Sequence, residues 1–212
     1  MPTKRACGYN REREIKLDIK LVGDHTHTLA GLQTGDSVSL YGPYGRFSDR
    51  FLSGESDCVF IAGGIGITPF LGMWHVALHS EERLDDRDVP ERLRRLHPEI
   101  IKTWKSPRVH LFYVCREPKD ASFDQDIRRE VISSRFHGFR AFEERGHHYE
   151  LWLTSEQGRV TAAHVDERVR GGVAGKAVFL CGPSPMVASL IGQLRALGLE
   201  DRRIVVEDFN LL

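Results

Sequence analysis

The sequence feature that most constrains the fold is the segment of residues 59–69, Val-Phe-Ile-Ala-Gly-Gly-Ile-Gly-Ile-Thr-Pro. Its apolar start predicts a buried strand, and its glycines predict a loop that opens a helix. Such a loop suits a pyrophosphate, because backbone N–H groups can approach it with no Cβ in the way and the helix N-terminus adds partial positive charge. In the pattern Gly-x-Gly-x-x-Gly, Pro69 occupies the third glycine position, so a purely structural turn is the alternative.

A second strand-turn-helix segment covers residues 178–186, Val-Phe-Leu-Cys-Gly-Pro-Ser-Pro-Met. Its apolar residues predict another buried strand, which places the thiol of Cys181 at the carboxyl edge of a sheet. A free cysteine is usually a small buried residue, and this interpretation suits Cys181 taken alone. Its position at the end of a strand, in the same crevice as the first loop, favours a site residue instead.

Strands and helices alternate from residue 57 onward. Apolar runs predict strands over residues 58–62, 109–114, 149–153, 177–181 and 204–206. Helical spacing predicts helices over residues 69–79, 123–133, 162–169 and 185–197. We therefore predict an α/β fold with a doubly wound, mainly parallel five-stranded sheet and a ligand crevice at the carboxyl ends of its strands.

The first fifty residues follow a different pattern. Apolar and polar residues alternate over residues 15–19 and again over residues 38–40, before a turn-rich exit. Two such strands cannot bury a core alone, so we predict a partial antiparallel β-barrel segment over residues 1–50 and a second domain over residues 51–212. The highly charged residues 81–105 predict a helical surface insertion, with a partner-docking element as the alternative.

Composition excludes several classes of protein. The chain has 30 Lys and Arg against 30 Asp and Glu, and this zero net charge argues against nucleic acid or an anionic membrane as the main partner. The run from Cys58 to Ser80 lacks these charged residues and is as long as a membrane span, but its glycines and Pro69 favour a strand, loop and helix. The N-terminus has no apolar signal segment and the cysteines are widely spaced, so we expect a cytoplasmic chain with reduced thiols.

The two glycine-containing segments occur as a pair, GGIGITP followed by CGPSPM. This pairing resembles the NAD(P)H-binding domain of the ferredoxin-NADP reductase superfamily, which carries GGxGxTP and CGPxxM. The branch that looks most similar is the ferric reductase and NADPH oxidase group. Its reductase regions carry GPYGxF, present here at residues 42–47, and an aromatic C-terminal tail, present here at residues 206–209. The resemblance covers about residues 15–212.

The resemblance implies roles for residues of both segments. The residues that would cradle the NAD(P) pyrophosphate are Gly63, Gly64, Gly66, Thr68 and Pro69. Those that would face the nicotinamide, or support the turn that does, are Cys181, Gly182, Pro183 and Met186. Phe209 matches the tail aromatic that covers the flavin ring in the family. Such a site aligns the hydride donor with flavin N5 and excludes water.

Two arginines are candidates for distinguishing NADPH from NADH. Arg116 follows the second strand, where the adenosine ribose lies in this fold, and a guanidinium there can pair with a 2′-phosphate. Arg159 follows the third strand on the same edge. A solvated arginine at a strand end is the alternative, and we expect NADPH rather than NADH.

The flavin half departs from the family pattern. Residues 23–26, Gly-Asp-His-Thr, match the turn that contacts the FAD pyrophosphate, with Thr26 as the contact. The upstream Arg/His-Pro-Phe/Tyr-Thr/Ser strand that holds the isoalloxazine ring has no match in residues 1–14. We expect either a portion of a larger reductase or a chain that has lost tight FAD binding. In the first case, its partners are the FAD-binding and membrane haem segments of that reductase, at the cytoplasmic face of a membrane.

The expected function is that of a reductase domain that passes hydride from NADPH or NADH to FAD, with electrons going on to haem, ferric iron or oxygen. A nucleotide-sensing or interaction module of the same fold is the alternative. A carbonyl dehydrogenase is disfavoured, because the sequence contains no Tyr-x-x-x-Lys pair. The pairs His25 and His27, and His147 and His148, suggest no third ligand, so we expect no metal site.

Overall fold

The structure is a computed structural model, which describes residues 23–39, 46–79, 104–136 and 145–207 together with Ile19 and Arg95. The chain divides into two compact units, Met1–Arg46 and Phe47–Leu212. This boundary lies close to the predicted one after residue 50. Each unit is described by itself.

The second unit is built on a five-stranded sheet. Its strands are β1 (Cys58–Gly63), β2 (Val109–Cys115), β3 (His148–Leu153), β4 (Ala177–Cys181) and β5 (Ile204–Glu207). Their order is β3-β2-β1-β4-β5, and every neighbouring pair is parallel. Parallel neighbours need crossover connections, which the intervening helices provide. The predicted doubly wound sheet of five strands is confirmed.

Helices follow the strands in the order that the sequence predicts. The helices of the described residues are α1 (Asp24–Leu29), α2 (Asp49–Leu52), α3 (Thr68–His79), α4 (Asp124–Phe136), α5 (Thr154–Gln157), α6 (Ala162–Arg168) and α7 (Ser184–Ala196). Short 3₁₀ turns occupy Gly64–Ile67, Pro118–Asp120 and Asp201–Arg203. The four predicted helices correspond to α3, α4, α6 and α7.

The sheet carries a core on each face. Phe60 of β1 packs against Phe70 of α3 and Phe179 of β4, with ring centroids 5.0 and 5.2 Å away. Val59 and Ile61 alternate onto the other face, where they join apolar residues of α6 and α7. Complete burial of β1 and β4 is expected for central parallel strands, and a side chain such as Phe60 stabilises the fold by about 1.5–3 kcal/mol.

The uncharged run of residues 58–80 forms β1, a 3₁₀ turn and α3, as the glycines predicted. Among the residues described, no helix combines the length and the apolar character that crossing a membrane requires. Of the predicted insertion at 81–105, only Arg95, Trp104 and Lys105 are described. Trp104 is buried and packs edge-on against Phe51, with ring centroids 6.1 Å apart, so the segment rejoins the core there.

The described part of the first unit contains a short helix and no strand at residues 23–39. At the start of α1, the Gly23 N–H donates to Thr26 Oγ1 at 3.0 Å, and the Thr26 hydroxyl donates to the Gly23 carbonyl at 2.8 Å. Val38 was expected in a strand, but it lies in irregular structure with 59% of its surface exposed. Alternation over a few residues makes no strand without a partner to pair with. Most of the predicted barrel segment lies outside the described residues and stays a prediction.

Candidate functional site

The crevice between β1 and β4 lies where the strand order reverses. From β1, the sheet extends through β2 to β3 on one side and through β4 to β5 on the other. The helices that follow β1 and β4 pack on opposite faces, which leaves a crevice at the carboxyl ends of these two strands. β1 ends at Gly63 and β4 ends at Cys181, so the sheet brings both predicted glycine-containing segments to this crevice.

The glycine loop, residues 63–69, joins β1 to α3. Its Gly64–Ile67 part is a 3₁₀ turn, and α3 begins at Thr68. The Thr68 hydroxyl donates to the Ile65 carbonyl at 3.2 Å and so holds the turn. Pro69 is the second residue of α3, where its missing N–H breaks no helical hydrogen bond.

The main chain of the glycine loop is open at Gly64. The φ angle of Gly64 is +54°, in the left-handed region that glycine adopts without strain. A Cβ built on Gly64 would have no heavy atom within 4 Å. A phosphate group can therefore approach the backbone here without displacing a side chain.

The glycine loop is in direct contact with the Cys-Gly-Pro turn, residues 181–186. A Cβ on Gly66 would lie 2.4 Å from the carbonyl oxygen of Cys181, and a Cβ on Gly182 would lie 2.9 Å from Gly63 Cα. Backbone atoms cannot yield as the end of a flexible side chain can, so a larger residue at either position would force the two segments apart. The glycines let the two segments form one continuous surface.

The Cys-Gly-Pro turn is held by hydrogen bonds at the start of α7. The Pro183 carbonyl accepts from the N–H groups of Met186 at 2.9 Å and Val187 at 3.1 Å. The Met186 side chain packs over Gly63, since a Cβ there would lie 2.8 Å from Met186 Cε. The thiol of Cys181 is fully buried, Gly182 is partly exposed, and the exposed residues of the turn are Pro183, Ser184 and Pro185.

Cys115 is a neighbour of the glycine loop that sequence reasoning missed. It ends β2, which pairs directly with β1 so that Val114 lies opposite Gly63, and Cys115 therefore lies beside the start of the glycine loop. The Cys115 thiol donates to the Asp120 carbonyl, with Sγ 3.6 Å from the oxygen. Burial raises the pKa of this thiol, so it stays neutral. The available signal was a cysteine at the end of the predicted strand 177–181 and another directly after the predicted strand 109–114.

The two predicted coenzyme-selecting arginines lie on the β2 and β3 side of the sheet. Arg116 follows β2 and is exposed, and its carbonyl accepts from the Ser155 N–H at 3.1 Å. Arg159 is also exposed and follows Gly158, whose carbonyl accepts from Trp152 Nε1 at 2.9 Å. Hydrogen bonds therefore hold the main chain at Arg116 and just before Arg159, near the carboxyl ends of neighbouring strands. Both side chains are exposed to solvent.

The remaining predicted residues lie elsewhere. Thr26 belongs to the first unit, where its hydroxyl is engaged with Gly23. β5 ends at Glu207, in register with Cys181, and burial raises the pKa of the Glu207 carboxyl. Phe209 and the Gly-Pro-Tyr-Gly segment of residues 42–45 lie outside the described residues.

The histidines considered from the sequence lie in a helix and at the start of a strand. His25 and His27 belong to α1. His147 is buried, and its Nδ1 accepts from the Val109 N–H at 3.1 Å. His147 is therefore a structural residue at the amino end of β2.

Known proteins resemble this chain over most of its length. It is 24% identical over 181 residues to a component of the Na⁺-translocating NADH-quinone reductase of Klebsiella pneumoniae, a match that covers 84% of this chain and 38% of that protein. It is 25% identical over 214 residues to the flavohemoprotein of Vibrio cholerae, a match that covers 93% of this chain and 43% of that protein. The CS-b5R domains of human Ncb5or in the NAD⁺ form share the fold, with a TM-score of 0.61 and 21% identity over 90% of this chain and 47% of that chain.

This chain spans less than half the length of each of these three proteins. The family model described as the oxidoreductase NAD-binding domain matches residues 60–190, which is more than half of the chain. The matched span runs from β1 into α7 and contains both the glycine loop and the Cys-Gly-Pro turn. The chain therefore belongs to the oxidoreductase NAD-binding domain family, within the ferredoxin-NADP reductase superfamily.

Proposed function

We propose that this chain binds a reduced nicotinamide dinucleotide in the crevice between β1 and β4 and positions it for hydride transfer to FAD. The observation that carries the proposal is the close approach of Gly66 to the Cys181 carbonyl, which joins the glycine loop and the Cys-Gly-Pro turn at the point of strand-order reversal. A ligand lying across this surface meets both segments, and a dinucleotide is long enough to do so.

In this proposal, the glycine loop holds the pyrophosphate. The 3₁₀ turn of residues 64–67 runs into α3, so the N–H groups that lack helical carbonyl acceptors are those at the start of this turn, and the helix end carries partial positive charge. The open space beside Gly64 lets phosphate oxygens reach the main chain. Thr68 and Pro69 shape the start of α3, while Gly63 and Gly66 allow the approach of the second segment.

The Cys-Gly-Pro turn forms the nicotinamide end of the proposed site. Gly182, which is partly exposed, and the exposed Pro183 would face the ring, and Met186 holds the turn against Gly63. The buried Cys181 closes the floor of the crevice and so excludes water from beneath the ring. FAD, when bound, accepts the hydride that leaves the nicotinamide. The work of this chain is alignment and exclusion of water.

The flavin part of the proposal is supported by relatives more than by described residues. The Vibrio cholerae relative is a flavohemoprotein by name. Thr26 is the flavin contact proposed from the described residues, and its hydroxyl is already used within α1. The flavin part of the proposal therefore rests on the relatives. For the complete enzyme we propose FAD-binding and haem segments as partners, at the cytoplasmic face of a membrane. Phe209 would cover the flavin ring. The electron acceptor would be haem, ferric iron or oxygen.

A nucleotide-sensing module of the same fold is the second candidate function. It is favoured by the Thr26 hydroxyl, the FAD contact expected from the sequence, which is hydrogen-bonded to Gly23 at the start of its own helix. Such a module would bind the dinucleotide in the same crevice without passing hydride to FAD.

Titration of the purified chain with NADH and with NADPH, each with and without FAD, separates these functions. We expect one nucleotide to bind per chain without FAD, and added FAD to be bleached by the reduced nucleotide if the chain is a reductase. Failure of both nucleotides to bind would contradict the whole proposal. Nucleotide binding with neither binding nor bleaching of FAD would favour the sensing module.

Coenzyme choice is tested by Arg116→Ala and Arg159→Ala. A guanidinium that pairs with the 2′-phosphate makes a charge-assisted contact worth about 1.5–3 kcal/mol, so NADPH affinity should fall about 10- to 100-fold while NADH affinity is unchanged. Arg129→Ala is the matched control, because Arg129 is an exposed arginine on α4 paired with Asp126. Equal loss of affinity for both nucleotides would remove the 2′-phosphate assignment.

A further inference from the structure

Three side chains able to bind a metal ion meet between α3 and α4, away from the crevice. His75 and His79 belong to α3, and Glu130 belongs to α4. One ligand atom from each of the three lies within 4.8 Å of the other two. We call these residues the His-His-Glu cluster.

The fold explains why the His-His-Glu cluster forms. Residues four apart on a helix share a face, and the rings of His75 and His79 have centroids 4.5 Å apart. β1 and β2 are neighbours in the sheet, so the helices that follow them, α3 and α4, lie side by side on the same face. Glu130 is thereby brought against both histidines from the facing helix.

The distances within the cluster are close to those of a metal site. His79 Nε2 lies 3.5 Å from Glu130 Oε1, and His75 Nδ1 lies 2.5 Å from the same oxygen. Ligand atoms about 2.0–2.1 Å from a tetrahedral zinc ion are about 3.3 Å from one another. Of the two histidine–carboxylate pairs, one already has about this separation and the other needs to open by less than about 1 Å, which a small side-chain rotation provides. The ligand nitrogens of the two histidines lie within 4.8 Å of each other.

The burial and charge of the cluster suit a cation that enters from solvent. The Glu130 side chain is 4% exposed, whereas the histidine side chains are 21% and 24% exposed. Glu130 contributes the carboxylate of the cluster, and its Oε1 faces both histidines. The cluster thus presents a buried negative oxygen behind two half-buried imidazoles.

We propose that His75, His79 and Glu130 bind a Zn²⁺ ion. Two imidazole nitrogens and one carboxylate oxygen form a ligand set that zinc uses in three-ligand sites. His75 lies seven positions after Thr68, about 10 Å along the helix from the glycine loop, so the ion contacts no nucleotide in the crevice. Its effect is to tie α3 to α4, and binding to the folded chain alone stabilises it.

The test is titration of the chelator-treated full chain with Zn²⁺ by calorimetry, and with Co²⁺ by absorption. We expect one Zn²⁺ per chain, and His75→Gln, His79→Gln and Glu130→Gln should each raise the dissociation constant at least about tenfold. His27→Gln is the matched control, because His27 is an exposed histidine outside the cluster and its loss should leave affinity unchanged. Cooperative urea unfolding shows that each variant is folded.

The proposal is overturned if the wild-type chain takes up no stoichiometric Zn²⁺, or if binding survives all three cluster substitutions. Where a cluster variant does not fold, the wild-type chain decides. Zn²⁺ must then raise its unfolding temperature with increasing concentration, and bound Co²⁺ must show nitrogen and oxygen ligation without a thiolate charge-transfer band. A thiolate band would assign the ion to cysteine and overturn the proposal. Nucleotide binding is measured separately, so failure of the crevice proposal leaves this result readable.

Discussion

Gly66 and Gly182 show how single residues set the geometry of the crevice. Each lies where the backbone of one segment touches the backbone of the other, and neither has room for a Cβ. Gly72, on α3, is the contrasting case, since a Cβ there would meet nothing within 4 Å. Glycines a few residues apart thus have different physical roles, and only those at the contact are required by packing.

Gly66→Ala should destabilise the chain and weaken nucleotide binding. The added methyl group would press against the Cys181 carbonyl, and overpacking of this kind costs about 1–3 kcal/mol. Gly72→Ala is the matched control and should stabilise the chain by about 0.5–1 kcal/mol, because alanine favours an exposed helix position. Urea unfolding and NADH titration measure both effects. A Gly66→Ala chain as stable as wild type would show that the contact is not rigid.

At the scale of the elements, two buried histidines occupy the amino ends of β2 and β3. His147 accepts a hydrogen bond from the Val109 N–H, and His110 follows Val109 in β2. Burial is the main cause that lowers the pKa of His147 to about 3, and nearby Arg145 and His110 lower it further. Burial, followed by His148 and Lys176, lowers the pKa of His110 to about 4. Both rings are therefore neutral in the folded chain at neutral pH.

These lowered pKa values predict a loss of stability in mild acid. Above pH 6.5 both histidines are neutral in the folded and in the unfolded chain, so they do not change the free energy of unfolding with pH. As the pH falls from about 6.5 toward 4, these histidines bind protons in the unfolded chain but not in the folded chain. The free energy of unfolding therefore falls by up to about 1.4 kcal/mol per pH unit for each histidine. His147→Asn, whose amide oxygen can still accept from the Val109 N–H, should flatten this slope in urea unfolding. An unchanged slope would contradict the assignment to His147.

At the scale of the whole molecule, the second unit contains the sheet, the crevice and both cores, while the described part of the first unit contains α1. The family match falls entirely within the second unit. We therefore expect nucleotide binding to act on the second unit, independently of whether FAD binds.

Saturating NADH should raise the unfolding temperature of the full chain. A ligand that binds only the folded state adds about 2.7 kcal/mol at a concentration 100 times its dissociation constant, which corresponds to about 5–10 °C for a chain of this size. The Gly66→Ala chain should show a smaller shift at the same NADH concentration, and the Gly72→Ala chain the full shift. Differential scanning calorimetry measures the shift, and an unmoved transition at saturation would contradict binding in the crevice.

Much of the fold could be predicted from local sequence, because fully buried strands consist mostly of apolar residues. The apolar runs of β1, β2 and β4 are completely buried, so they stand out as strands, and the predicted ends lie within a residue or two. The glycine loop and the Cys-Gly-Pro turn could each be predicted from local residues, whereas their pairing came from the resemblance to a known family. Val38 shows the limit, since alternation alone did not place it in a strand.

By itself, the sequence determined the order of strands and helices, the five-stranded parallel sheet and the two glycine-containing turns, since each depends on neighbours along the chain. Only the tertiary structure decided which distant residues meet. It placed Cys115 beside the glycine loop, pressed Gly66 against Cys181, and brought Glu130 to the histidines of α3. These contacts depend on strand order, because the order of the strands and the burial of both faces of the sheet set which helices lie side by side. A local sequence pattern does not contain this information.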